Sequence, residues 1–376
     1  MLQFAMAAND PMRENELVDA AVTWLRERIP AAWSVEPADQ DAMPGGRGRP
    51  GGTIVINGQS VFATLAVEAK RSLRPRDVAG LFGSVGRTLR ALSPDIPILV
   101  VAPWLSPRTR DLLAAEGINF LDLTGNALVR LESPALFIQS QGADRDPSPT
   151  PRGKARVRGP KAARLIRTLI DVRPPYGVRD LAEATGLAPG YISRLLYALD
   201  DDALLERSKR GQVESVDIAA LLRRWAESYE LFRSNDAQPY LAARGAEDAL
   251  GRLPELPTLR TAVSGSFAAV RLSPVAAPAL LTVYCEDAKA LADALDLIPA
   301  DRGANVVLLR PFDPIVWERT DEEGGVRYVA PSQAAVDCLT GNGRMPAEGE
   351  ALIQWLLANE PAWRLDSLAR VGGPPA

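Results

Sequence analysis

Glu68-Ala69-Lys70 closes the alternating stretch GGTIVINGQSVFATLAVEAK, which turns at Asn57-Gly58. Residues two apart on a strand share a face, so the carboxylate and the amine would project together. Beside a second carboxylate, such a pair can hold Mg²⁺ at a scissile phosphate while the lysine positions the attacking water. The start of the preceding strand offers no such acid and reads Gly51-Gly52-Thr53. Asp39 and Asp41 lie further upstream in a Gly/Pro-rich loop and are the nearest substitutes. A strand-end ion pair is the other reading of Glu68 and Lys70. The chain has no histidine, which removes Ser-His and Cys-His nucleophile pairs, imidazole bases and most zinc sites.

A second group of residues is cationic. From Pro151 to Ile170 there are seven basic residues (Arg152, Lys154, Arg156, Arg158, Lys161, Arg164 and Arg167) and no acidic one. A solvated linker and a basic arm tracking phosphates both fit this run. Downstream, GLAPG makes a tight turn into YISRLLYALDDD, where Ile192, Leu195, Leu196 and Leu199 recur three or four apart. That spacing turns one face of a helix inward. It leaves Gly190, Tyr191, Ser193, Arg194 and Tyr197 on the open face and at the start of the helix, the part of a recognition helix that meets base edges. Arg179 sits on the helix before it, and Lys209 and Arg210 at the tip of a short hairpin. Over 152–215 there are 13 Lys/Arg and 8 Asp/Glu, about +5, in a chain of net charge −4. Hydroxyls, guanidinium and amines there suit phosphate and base contacts; a small helical domain that binds protein is the competing reading.

A third candidate is Ser264-Gly265-Ser266, a turn from a strand into a helix. Phosphoryl transfer at such a turn would need nearby carboxylates to hold metal ions, and the next strand is the first place to look. That strand, ALLTVY at 279–284, has none, and Glu286 and Asp287 follow it side by side, where a strand would aim them oppositely.

The elements that must position these groups follow an α/β pattern. RENELVDAAVTWLRERI at 13–29 predicts an amphipathic helix, with Leu17, Ala20, Ala21, Trp24, Leu25 and Ile29 on one face. Then come a loop over 35–52, a hairpin (53–57 and 60–67), a helix from Asp77 to Leu92 and a buried strand at 96–103. A helix N-capped by Ser106 with Pro107 at its first position follows, and then three short strands. The expected domains are an α/β domain at 1–140, a basic Pro/Gly linker at 141–160, a helical DNA-binding module at 161–218, a helical connector at 219–239 and a second α/β domain at 240–376. Length, 47% hydrophobic and 24% charged residues fit a soluble protein of several domains. No apolar run reaches the ~18 residues of a membrane span, and the N-terminus lacks a secretion pattern. Cys285 and Cys338 sit in apolar contexts and read as buried free thiols, which suits the cytoplasm.

Hairpin, Glu68-x-Lys70, helix and buried strand resemble the core of restriction-endonuclease-like proteins, the PD-(D/E)xK group, with one metal ligand missing. The 161–215 segment resembles a winged helix-turn-helix. Ser264-Gly265-Ser266 resembles the start of a polymerase-β-like nucleotidyltransferase site, degenerate here. AVSGSFAAVRL at 262–272, GANVVLLRPFD at 303–313 and VRYVAPSQAAVDCLTGNGRMPAEGEALI at 326–353, together with the 161–215 module, resemble AbiEi-type antitoxins of type IV toxin–antitoxin systems. The resemblance covers roughly the last 220 residues of the sequence. It implies a bacterial, non-enzymatic regulator that binds double-stranded operator DNA, autoregulates its operon and has a toxin gene as neighbour. No cofactor is expected; Mg²⁺ enters only if Glu68 and Lys70 serve a nuclease targeted by the winged helix. An interaction protein that binds no nucleic acid is a third reading. Operator symmetry points to a homodimer.

Overall fold

The computed structural model describes residues 13–37, 52–58, 61–81, 96–148 and 157–368. Two compact units form, Met1–Arg152 with Asp201–Ala203, and Gly153–Asp200 with Leu204–Ala376.

The first unit runs α1 (Glu14–Arg26), β1 (Ser34–Pro37), β2 (Gly52–Asn57), β3 (Phe62–Ala69), α2 (Pro75–Leu81), β4 (Ile98–Ala102), α3 (Pro107–Ala115), β5 (Asn119–Asp122), β6 (Ala127–Leu131) and β7 (Leu136–Ser140). Its seven strands lie in chain order. The centre, β3–β4–β5, is parallel, and the flanking pairs are antiparallel. Parallel strands are buried on both faces, and β3 and β4 are buried along nearly their whole length. Leu17, Ala21 and Leu25 of α1 cover one face with Leu65, Val67, Leu99 and Val101. Leu73, Val78, Leu105 and Leu113 cover the other with Val100 and Phe120. Ser106 caps α3 as its sequence predicts, accepting from the Thr109 amide at 3.1 Å. The expected 35–52 loop departs at its start, where Ser34–Pro37 pairs as an edge strand with β2. Of the helix expected to reach Leu92, only Pro75–Leu81 lies within the described residues.

The second unit runs α4 (Pro160–Asp171), α5 (Val178–Thr185), α6 (Pro189–Asp201), β8 (Leu205–Arg207), β9 (Val213–Val216), α7 (Ile218–Ala226), α8 (Leu231–Ser234), β10 (Asp236–Leu241), α9 (Ala246–Arg252), β11 (Thr261–Ser264), α10 (Gly265–Leu272), β12 (Leu281–Cys285), α11 (Ala288–Ala294), β13 (Ile298–Pro299), β14 (Val306–Arg310), β15 (Asp321–Glu323), β16 (Val326–Tyr328), α12 (Pro331–Leu339), α13 (Met345–Ala358) and α14 (Glu360–Trp363). β8 and β9 form a separate hairpin, and the large sheet has order β13-β10-β14-β12-β11-β16-β15. The expected helical connector at 219–239 also holds the start of β10, whose polar, proline-containing DAQPYL lacks strand alternation yet pairs with β14 and β13. α12 and α13 pack closely enough that a Cβ on Gly349 would lie 2.6 Å from the Leu339 backbone nitrogen.

Both cysteines are free and buried. Burial pushes the Cys285 thiol up to about 12, and it raises that of Cys338 as well. Among the described residues no helix is long and apolar enough to cross a membrane.

Candidate nucleic-acid interface

The helical module is built as its sequence patterning dictates. Leu165, Ile166 and Leu169 of α4 meet Leu181 of α5 and Ile192, Leu195, Leu196 and Leu199 of α6 in one core. Gly186 ends α5 in the left-handed region at φ 67°, its amide bonding to the Ala182 carbonyl. A side chain there would resist that conformation, and three residues later α6 begins.

Once the core is filled, Gly190, Ser193, Arg194 and Tyr197 are exposed along α6. Arg194 arches back over Gly190, one nitrogen 3.9 Å from where a Cβ would stand. Tyr191 differs from its neighbours: it is half-buried against the core, and burial raises its phenol pKa. Arg179 near the start of α5, Arg158 and Lys161 around the start of α4, and Lys209 and Arg210 at the β8–β9 tip are exposed. Arg152, Lys154 and Arg156 lie outside the described residues.

The remaining two cations of the basic run do not belong to an arm. Arg164 pairs with Asp313 at 2.8 Å. Arg167 is fully buried and donates to the carbonyls of Ile315 and Glu318, with Asp171 at 3.3 Å. Desolvation lowers its pKa against the opposing pull of Asp171. Asp171 also accepts from Ser332 Oγ at 2.5 Å and pairs with Arg319 at 3.0 Å. Arg364 donates to the carbonyls of Leu169 and Val172, and Leu365 bridges to Val172. These two cations of the basic run therefore join α4 to the α/β body. The available signal for Arg167 was its spacing from Asp171, four positions on along a helix that carries Leu165, Ile166, Leu169 and Ile170.

Glu68 and Lys70 form an ion pair at 2.5 Å. Thr53 is registered opposite Ala66, and Gly52 opposite Val67. Opposed residues in an antiparallel pair point the same way, so Thr53 lies on the Glu68 face, ahead of Val55 and Asn57 in nearness to Glu68, and it offers a neutral hydroxyl. Asp39, Asp41 and Gly51 lie outside the described residues. Asp122, fully buried at the end of β5, is consumed by the turn that follows, accepting from the amides of Leu105, Thr124 and Asn126. Among the described residues no three acids or thiols cluster as a metal site.

The Ser264-Gly265-Ser266 turn is also closed. Ser264 Oγ donates to Asp337 at 2.6 Å and Ser266 Oγ to Glu348 at 2.5 Å. Asp337 accepts further from Tyr229, Tyr284 and Gln333; burial raises its carboxyl pKa, the hydrogen bonds opposing. Gly265 sits at φ 63°, and a Cβ there would come 3.0 Å from Met345. α13 thus covers the turn, and a phosphate would meet the Glu348 carboxylate. Asp287 caps α11 through the Ala290 amide, and Glu286 pairs with Arg260. Sequence reading missed Tyr229, Gln333 and Asp337 as one buried cluster, because their partners come from elements far apart in the chain.

Residues 215–352 match the model of a family described as transcriptional regulator, AbiEi antitoxin, type IV TA system. The match runs from within β9 to within α13 and leaves α4–α6 and the first unit outside. Over that stretch the chain is similar to regulators of the antitoxin class. No curated protein matches the chain.

Proposed function

We propose that this chain is a sequence-specific, double-stranded-DNA-binding transcriptional regulator of antitoxin type, acting in the cytoplasm and regulating its own operon. In this reading α4–α6 and β8–β9 are a winged helix-turn-helix, α6 is the recognition helix and β8–β9 the wing. The observation that carries it is the exposed strip Gly190–Ser193–Arg194–Tyr197 on α6, in a module whose Arg179, Lys209 and Arg210 are also exposed. Ser193 and Arg194 read or grip the duplex, Lys209 and Arg210 hold phosphate, and Arg152, Lys154, Arg156 and Arg158 add non-specific affinity. The similarity of residues 215–352 to antitoxin-type regulators supports the regulatory role, with a toxin as partner and a homodimer on a symmetric operator.

The flanking α/β domains, degenerate relatives of endonuclease and nucleotidyltransferase folds in this reading, are catalytically silent and need no cofactor. Fluorescence anisotropy with the DNA upstream of the gene tests the proposal. Arg194→Ala should cost about 1–3 kcal/mol of operator affinity if it contacts a base, and affinity should fall steeply with salt. Unchanged affinity in the Ser193→Ala/Arg194→Ala double variant would remove the recognition-helix assignment. The alternative, a Mg²⁺-dependent nuclease using Glu68 and Lys70, predicts plasmid cutting that a Lys70→Ala variant loses.

A further inference from the structure

The β8–β9 tip is a built turn. The Gly211 amide bonds to the Ser208 carbonyl at 2.9 Å, which puts Lys209 and Arg210 at the two central positions. Beneath it the Ser208 amide bonds to the Gln212 carbonyl at 2.9 Å, and Ser208 Oγ accepts from the Gln212 amide at 3.2 Å. Arg207, the last residue of β8, does not point outward with these cations. Its Nε and Nη2 both donate to the Gly211 carbonyl, at 3.2 and 3.0 Å. Gly211 has φ 87°, and a Cβ there would stand 3.1 Å from Arg207 Nη2. The glycine therefore both permits the turn and leaves room for the guanidinium. Lys209 and Arg210 are exposed and make no ion pair among the described residues.

We infer that Arg207 is a positioning residue: its fork on the Gly211 carbonyl sets the wing tip before DNA arrives, so that Lys209 and Arg210 meet duplex phosphates without first being ordered. The inference rests on the DNA-binding reading above and names how that site holds its phosphate ligands. The planar fork is the working feature, because one carbonyl takes two donors from fixed directions. Lysine supplies the same charge as a single flexible point and cannot reproduce it.

The test is a cycle of variants in the full chain, titrated against the upstream DNA. Arg207→Met and Arg207→Lys should each weaken binding on the order of tenfold, the effect of having to order rotamer-rich side chains and their turn on binding. Lys209→Ala/Arg210→Ala should weaken binding and flatten the slope of log affinity on log salt by roughly 0.9 per lost phosphate contact. In that background Arg207→Met should add nothing further, since the tip it positions no longer carries cations. Amide exchange at Gly211 and Gln212 should accelerate in Arg207→Met without DNA, which reads the turn independently of affinity. Wild-type binding by Arg207→Lys would overturn the inference, as would an undiminished effect of Arg207→Met in the double variant; either makes Arg207 a plain phosphate contact. Unaltered exchange would also overturn it. If the wing variants are silent while Ser193→Ala/Arg194→Ala abolishes binding, this inference fails and the DNA-binding reading survives. If all are silent, the reading itself fails.

Discussion

Asp171→Asn is the sharpest probe of how α4 is held. Asp171 is 3% exposed and receives Ser332 Oγ at 2.5 Å, Arg167 Nε at 3.3 Å and Arg319 Nη1 at 3.0 Å. Asparagine keeps the volume and an acceptor for Ser332 but removes the charge and presents donors to two guanidiniums. Arg167, with no exposed surface, then loses its adjacent carboxylate; Asp337 still pulls on it from further off. Breaking a buried pair by neutralising one partner costs about 3–5 kcal/mol, and the remaining help from Asp337 favours the lower end. In a unit of this size that is a melting-point fall of roughly 6–12 °C, at about 2–4 °C per kcal/mol. Urea unfolding followed by tryptophan fluorescence measures the loss, and Arg167→Met/Asp171→Asn should cost less than the sum of its singles. A loss under about 1 kcal/mol would refute the reasoning, because it would mean that the charge is not needed to keep Arg167 buried.

Two further perturbations bear on the α/β body of the second unit. Asp337 has a raised folded-state pKa, so the stability it contributes is fully present below its unfolded value, about 4, and is lost as pH rises through the folded value. Asp337→Asn cannot ionise; its stability difference from wild type, read from urea unfolding across that range, should change with pH, and a constant difference would contradict the assignment. Gly349→Ala should destabilise by about 1–3 kcal/mol through overpacking, although the same change in an open helix stabilises by about 1 kcal/mol. A stabilised variant would mean that α12 and α13 do not approach as closely as 2.6 Å implies.

What was legible in the sequence is what local chemistry specifies. Ser106 and Pro107 start α3 because the cap and the fixed φ act over three residues, and Gly186 ends α5 for a similarly local reason. Leu195, Leu196 and Leu199 face inward by spacing alone, so the exposed strip of α6 could be read by subtraction. β1 and β10 could not, because short polar edge segments become strands only through the partner that pairs them. Arg164 and Arg167 were legible as helix residues in a basic run, but their partners were not: a cation looks solvated until Asp313 and the Ile315 carbonyl arrive from nearly 150 positions away. The Glu68–Lys70 pair was visible, whereas the register that sets Thr53 on its face is a property of the sheet.

The bridge between Leu365 and Val172 carries a practical consequence. The Leu365 amide bonds to the Asp171 carbonyl, and the Arg173 amide to that of Leu365, both at 2.8 Å. Segment 359–365 is therefore a splint on the final turn of α4, although it lies some two hundred positions away in the sequence. Trimming it, or fusing a bulky reporter against it, would loosen α4 from behind. A truncation survey would then score a loss at α4 for a cut made far from it in the sequence.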